Sequence, residues 1–486
     1  MADKVYIKED LVSVTMDNGG HKVILSWGDP VEVLGSVGNR TQIRVFDRGG
    51  SSFTGTVNGK LPTQKKGVLS LSMVDVQQGD GLVLETPLGK KILIDGGDNK
   101  LFARYLAARY QNTSETKPLV VDAMVITHGD ADHFQGLTEI QKSETHATKR
   151  KRLFLYPLRV MHNGLVKGPS TAQGKKVKDE KMFGATAKTP DGKLAVVALE
   201  EDLLAVPNRN ARMNGPFKTW MKSLEHWQRH GPIQFFRVRE GDDTPFSFLN
   251  DEEITVDVHG PLETTAVVNG SEKPALEFLH SPKKNAEIHL QEEVDDSRAL
   301  SASHTINGHS LAFRLTYKNV RFYFSGDMNH ESMNELRKRI RKKDLNSEIL
   351  KVPHHGSADF DLQALKEISP VVSLISSGDE SSRKEHIHPR ATTMGAIGRA
   401  SRSDTPIVFC TELAAFFEVR GLSTADKDHQ RFFGFERTNF GIIQVRTDGE
   451  RVLVFTHSGK ENMKEAYRFT VDANHQIKFS PTVKTR

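Results

Sequence analysis

Six consecutive residues, His128-Gly129-Asp130-Ala131-Asp132-His133, set the terms for any fold this chain adopts. Four of the six carry an imidazole or a carboxylate, and they follow directly on the apolar stretch 121–127. Nitrogen and oxygen donors of this kind suit zinc or manganese. In a turn after a strand, residues at alternate positions converge, while the adjacent Asp132 and His133 diverge. One such turn offers ligands to two neighbouring ions. The chain must therefore bring the end of a buried strand to a polar cleft, where α/β sheets place their ligands.

The surrounding pattern is consistent with that demand. From Val68, apolar strands alternate with helical stretches, and strand after strand ends in polar residues: Ile92-Leu93-Ile94 in Asp95-Gly96-Gly97, and Phe322-Tyr323-Phe324 in Ser325-Gly326-Asp327. This is the pattern of a two-layer α/β core. The first 64 residues differ. Their short alternating runs, broken by Asn18-Gly19-Gly20, Gly28-Asp29-Pro30 and Arg48-Gly49-Gly50, predict a small accessory β-barrel, SH3-like. The segment 61–67 reads as a linker into a second domain, 65–486. Residues at about 144–258 read as an insertion beside the cleft, with an amphipathic helix near 217–230.

At 486 residues the chain is long enough for two domains. Its 37% hydrophobic and 27% charged residues suit a globular protein, and no apolar run reaches the ~18–20 residues of a membrane span. No signal peptide is visible, and the single cysteine, Cys410, excludes an internal disulfide and a cysteine-rich zinc site. A cytoplasmic protein is expected. With 67 basic against 62 acidic residues, the net charge of +5 names no polyanionic partner. The cluster Lys149-Arg150-Lys151-Arg152 is the local exception: either a solvated surface or a nucleic-acid contact.

Two further motifs support the metal reading. Asp327 closes an apolar strand, where its carboxylate could bridge two ions or, alternatively, cap a following helix. Lys351-Val352-Pro353-His354-His355-Gly356-Ser357 places a histidine pair at another strand end. Adjacent side chains point apart, so one of His354 and His355 binds metal and the other meets substrate. Together with Val74-Asp75-Val76-Gln77-Gln78-Gly79-Asp80 and Ile92-Leu93-Ile94-Asp95-Gly96-Gly97, these motifs resemble the DNA-uptake (ComEC-type) branch of the metallo-β-lactamase superfamily, in the branch's order and over roughly 68–455.

The resemblance implies an αββα sandwich with a two-metal cleft between its sheets. By motif, His128 and Asp130 would serve one ion, Asp132 and His133 the other, and Asp327 would bridge them. His355 would complete the metal set, and Asp95 and Asp80 would orient it from behind. Where a further histidine ligand is expected, His309 is preferred over His304. His386-Ile387-His388-Pro389 resembles a later motif of the branch, in which His388 would ligate metal or, like His354, donate a proton. Aspartate at 130, where the superfamily usually has histidine, hardens the site and makes Mn2+ a rival to Zn2+. The expected activity is hydrolysis of a phosphodiester, with nucleic acid among the candidate substrates, by metal-activated water held between two divalent ions. Asp132 would be catalytic and Lys149, Arg150, Lys151 and Arg152 would bind the polyanion. The rivals are hydrolysis of a small ester, lactone or phosphocholine-like group, and a binding subunit with vestigial metals that meets a protein partner through the N-terminal barrel.

Overall fold

The computed structural model describes residues 4–46, 52–281, 299–378, 388–418, 433–439, 441–458, 465–480 and 483. The expected turn at Arg48-Gly49-Gly50 and His386 lie outside these residues.

The chain is a mixed α/β protein built on two large sheets. Continuous apolar runs make strands buried on both faces: every residue of Leu69–Met73, Gly81–Glu85 and Val320–Phe324 is buried. The ten-stranded sheet runs in the order Gln234–Arg237, Arg159–His162, Ala123–Val125, Lys91–Asp95, Gly81–Glu85, Leu69–Met73, then Gly441–Thr447, Arg451–Ser458, Ala466–Val471 and Ile477–Phe479. The six-stranded sheet runs Ile254–Gly260, Ala312–Tyr317, Val320–Phe324, Ile349–Lys351, Val372–Ile375 and Ile407–Cys410. Their apolar faces share one core, in which Leu71, Ile94 and Val125 of the first sheet pack with Phe313, Phe324 and Leu374 of the second. The outer faces are covered by helices. Ala131–Ser143 and Gly215–Trp227 pack on the first sheet, and His330–Arg339, Leu362–Ile368 and Ala391–Ala400 on the second.

Four strands of each sheet are mutually parallel. In the first sheet these are Lys91–Asp95, Ala123–Val125, Arg159–His162 and Gln234–Arg237. In the second they are Val320–Phe324, Ile349–Lys351, Val372–Ile375 and Ile407–Cys410. Their carboxyl ends carry the polar motifs. The opposite end of the second sheet is held by Glu348, fully buried, which accepts from Arg321 Nη2 at 2.7 Å and is also paired with Arg402. Glu348→Gln keeps the shape but leaves two guanidinium groups without their counter-charge. The expected cost is about 2 kcal/mol, measured by chemical denaturation.

Two expectations about organisation need adjusting. The N-terminal strands pair as a seven-stranded antiparallel sheet around Val12, Val14, Ile43 and Val57, with no closure among its described pairings. The segment read as a linker supplies one of its strands, Thr63–Gln64. The closed barrel lies elsewhere, in Thr186–Lys188, Leu194–Val196, Thr264–Val268 and Ser271–Glu277. The stretch at about 144–258 is also not wholly an insertion, because Arg159–His162, Gln234–Arg237 and Ile254–Gly260 belong to the two large sheets. Only the chain between and around them leaves the core. The N-terminal sheet is docked, not tethered: Trp27 packs with Val68, Leu453 and Phe455, and Arg446 donates to the Trp27 carbonyl at 2.6 Å.

Candidate metal centre

Past the end of the strand Ala123–Val125, Ile126 and Thr127 lead to His128, after which Asp130 begins the helix Ala131–Ser143. Asp132 and His133 thus sit in the first turn of that helix, where its dipole favours a carboxylate. The turn is pressed against its neighbours. A Cβ at Gly79 (φ +91°) would lie 1.7 Å from the Asp132 carbonyl oxygen, and one at Gly136 would lie 1.9 Å from the Gly96 carbonyl. Only glycine fits either place, so the Gln78-Gly79-Asp80 turn can lie directly on the ligand turn.

Each central histidine has one ring nitrogen on a buried carboxylate and the other on Asp327. His133 Nδ1 is 2.8 Å from Asp95 Oδ2, and its Nε2 is 3.2 Å from Asp327 Oδ2. His355 Nδ1 is 3.4 Å from Asp80 Oδ1, its Nε2 3.1 Å from Asp327 Oδ2 and 4.0 Å from Asp132 Oδ2. Thr127 holds Asp95 through its backbone N–H and its hydroxyl, at 2.8 and 2.6 Å. This carboxylate–histidine arrangement orients imidazoles toward metals. Ligand atoms converge to within 4.8 Å in the sets His128, His133, Asp327 and Asp132, His133, His355; Asp80 also groups with Asp95 and His133, and with Asp327 and His355.

The charges show what the cluster lacks. Burial opposes protonation of His133, but Asp327, Asp95 and Asp132 outweigh it and raise its pKa well above the imidazole value. His355 is likewise pulled up to about 9 by Asp327 and Asp80 against its burial. His128, buried beside His133, is pushed well down and is neutral. Against its own burial, Asp327 is held well below the carboxylate range by His355, His133 and Lys351. Both ring nitrogens of His355, Asp327 Oδ1 and Asp80 Oδ1 are buried without an aligned hydrogen-bond partner. Buried atoms of this kind need a partner, and a cation among His133, His355, Asp132 and Asp327 would supply one. The donor set fits a divalent metal.

Backbone strain gathers at the same place. Gln77, Asp95, His354 and His355, four of the twelve non-glycine residues with positive φ among the described residues, have φ of 67°, 56°, 48° and 54°, a conformation uncommon without glycine. Above the cluster, a cavity of about 180 Å³ is lined by Gln77, Gln78, Asp130, Asp132, Asn307, Asp327, His354, His355, Ser377 and His388, among others.

Not every expected residue joins the cluster. His309 turns away: it caps the Ala302–Gly308 helix, and its Nε2 donates to the Glu277 carbonyl at 2.7 Å. The next residue faces inward instead, with Ser310 Oγ 3.3 Å from His128 Nδ1 and accepting the Asp327 N–H at 2.9 Å. Asp130 lines the cavity but stands outside the converging sets, its Oδ1 paired with Lys167. His354 and His388 face the cavity, yet burial lowers His354, and burial with the His355 and His354 charges pushes His388 down to about 3. Lys149, Arg150, Lys151 and Arg152 follow the 13-residue helix, whose length of about 20 Å carries them away from its metal-facing start.

Lys351 was missed. It is buried, paired with Asp80, 3.6 Å from Asp327 Oδ1 and 2.9 Å from the Gly326 carbonyl it donates to. The signal was available, since a lysine inside an apolar strand is tolerated only when paired.

Fold and cluster together define a class: a mixed α/β protein whose buried histidines and aspartates, at the strand ends between two sheets, could hold a metal ion. No protein-family model matches the chain, and no curated protein is similar to it at a significant level.

Proposed function

We propose that the chain is a metal-dependent hydrolase of the metallo-β-lactamase type, acting on phosphodiesters. The observation that carries this reading is the pair of imidazoles, His133 and His355, backed by Asp95 and Asp80 and aimed at Asp327. Asp132, His133, His355 and Asp327 would hold one divalent ion, Zn2+ or Mn2+, and His128 with Asp327 would contribute to a second. Metal held there supplies an activated water at neutral pH and a counter-charge for the attacked group.

The chain's own residues do the rest. Asp95 and Asp80 fix the ring orientations, and Lys351 keeps Asp80 and Asp327 ionised and in place. Gln77, Gln78 and Asn307 offer amides at the cavity wall to orient a polar substrate. The cavity is smaller than the roughly 300–1,000 Å³ of drug-sized pockets, so it suits one phosphodiester group with its flanking chains outside. The sequence resemblance points to the same substrate class. Cleavage of nucleic acid is the extended form of this reading, with Lys149, Arg150, Lys151 and Arg152 as the candidate phosphate contacts.

The test is turnover of bis(p-nitrophenyl) phosphate by the full chain, before and after chelation and on return of Mn2+ or Zn2+. Activity that disappears with chelation and returns with metal supports the proposal. A metal-loaded protein that ignores the diester and cleaves p-nitrophenyl acetate or a lactone would replace phosphodiester by ester chemistry.

A further inference from the structure

The two halves of the cluster are unequally provided. Asp132, His133 and His355 converge with Asp327 close by, and the buried Lys351 stands 3.6 Å from Asp327. The half containing His128 has fewer donors. The further histidine ligand expected in the site, His309, is bonded elsewhere, and Ser310, a weak neutral ligand, stands beside His128. The remaining carboxylate of the turn is Asp130, and it is engaged on both oxygens. Lys167 pairs with Oδ1, and with its amide nitrogen turned toward Asp130, Asn307 donates to Oδ2 at 2.9 Å.

We propose that Lys167 competes with a divalent ion for Asp130, so that the ion nearest His128 binds weakly and exchanges while the other stays. The inference rests on the metal-dependent reading above. Its geometry favours competition over a permanent bond. The Lys167 backbone is anchored, its carbonyl accepting from Asn214 N at 2.9 Å, where Asn214 caps the Gly215–Trp227 helix. The side chain is not locked in: Lys167 and Asp130 are 22% and 20% exposed, whereas Lys351 is 2% exposed. A long, part-exposed ammonium can leave its partner with little desolvation cost; a buried one cannot. Lys351 is therefore a resident cation, and Lys167 a displaceable one. Because Lys167 comes from the chain outside the two sheets, that excursion would set the metal occupancy of a site built on the sheet ends.

The experiment is titration of the metal-stripped full chain with Mn2+, reading free Mn2+ by electron paramagnetic resonance and heat by calorimetry. The wild type is expected to show a tight step and a weak one. Lys167→Met should tighten the weak step by up to roughly fivefold, the scale of a part-exposed ion pair, and leave the tight step unchanged. Lys167→Arg should match the wild type, as should Lys142→Met, which removes a charge near the far end of the helix Ala131–Ser143 that Asp130 begins. A weak step that Lys167→Met leaves alone or weakens overturns the competition, and so does a wild type whose two steps are equally tight. A protein that takes up no Mn2+ in any form overturns the metal-dependent reading itself. The tight step, retained in the variants, reports that they are folded.

Discussion

Asp327→Asn is expected to lower phosphodiester turnover by about a thousandfold or more. The reasoning follows from position. One carboxylate oxygen, Oδ2, lies 3.2 Å from His133 Nε2 and 3.1 Å from His355 Nε2, and the residue also converges with His128, so it faces both halves of the cluster. Asparagine keeps the volume and the backbone contact from Ser310 Oγ but removes the charge that a divalent ion needs most. It also leaves Lys351 with Asp80 as its remaining close carboxylate. The variant should fold, since Asp80 still neutralises Lys351, and should lose turnover in kcat. Steady-state kinetics at saturating Mn2+ and Zn2+ provide the check. Turnover within tenfold of wild type would remove Asp327 from the centre of the account.

The second large effect is on stability against pH. In the metal-free protein, His355 is held at about 9 by Asp327 and Asp80, against an ordinary imidazole value of 6.5. A raised folded pKa means that folding tightens proton binding. The stabilisation is therefore complete below 6.5 and is lost as pH rises through about 9. His355 alone contributes on the order of 3 kcal/mol, and His133, raised by Asp327, Asp95 and Asp132 against its burial, acts in the same direction. Metal replaces these protons, so its binding releases them and weakens in acid. Denaturation midpoints should fall across this window for the stripped protein and stay nearly level for the loaded one. A stripped protein equally stable on both sides of the window would show that the imidazoles are not charged by their carboxylates.

What the sequence reveals and what it conceals differ in physical origin. His128, Asp132, His133, Asp327 and His355 are legible because each follows an apolar strand, and strand ends in such sheets share one edge. His309 misleads because its direction depends on where the Ala302–Gly308 helix stops, and a one-residue difference sends Ser310 inward instead. Lys351 and Lys167 depend on partners more than 30 residues away, which local pattern cannot supply. The same holds for the barrel, whose strands come from two separated stretches, 186–196 and 264–277. The N-terminal strands are readable individually, but closure into a barrel depends on pairing at the sheet edges, which alternation does not encode.

The central claim is that the His/Asp cluster is a metal centre. Its most direct test is the metal content per chain by elemental mass spectrometry, for the wild type and for Asp132→Ala. Asp132 is one of the three converging donors, 23% exposed and free of any structural ion pair with a lysine or arginine among the described residues, so its loss should not unfold the chain. The account predicts at least one stoichiometric divalent ion in the wild type and less metal, by one ion or more, in the variant. A wild type that carries none and accepts none on incubation, or a variant that retains the full complement, would contradict it.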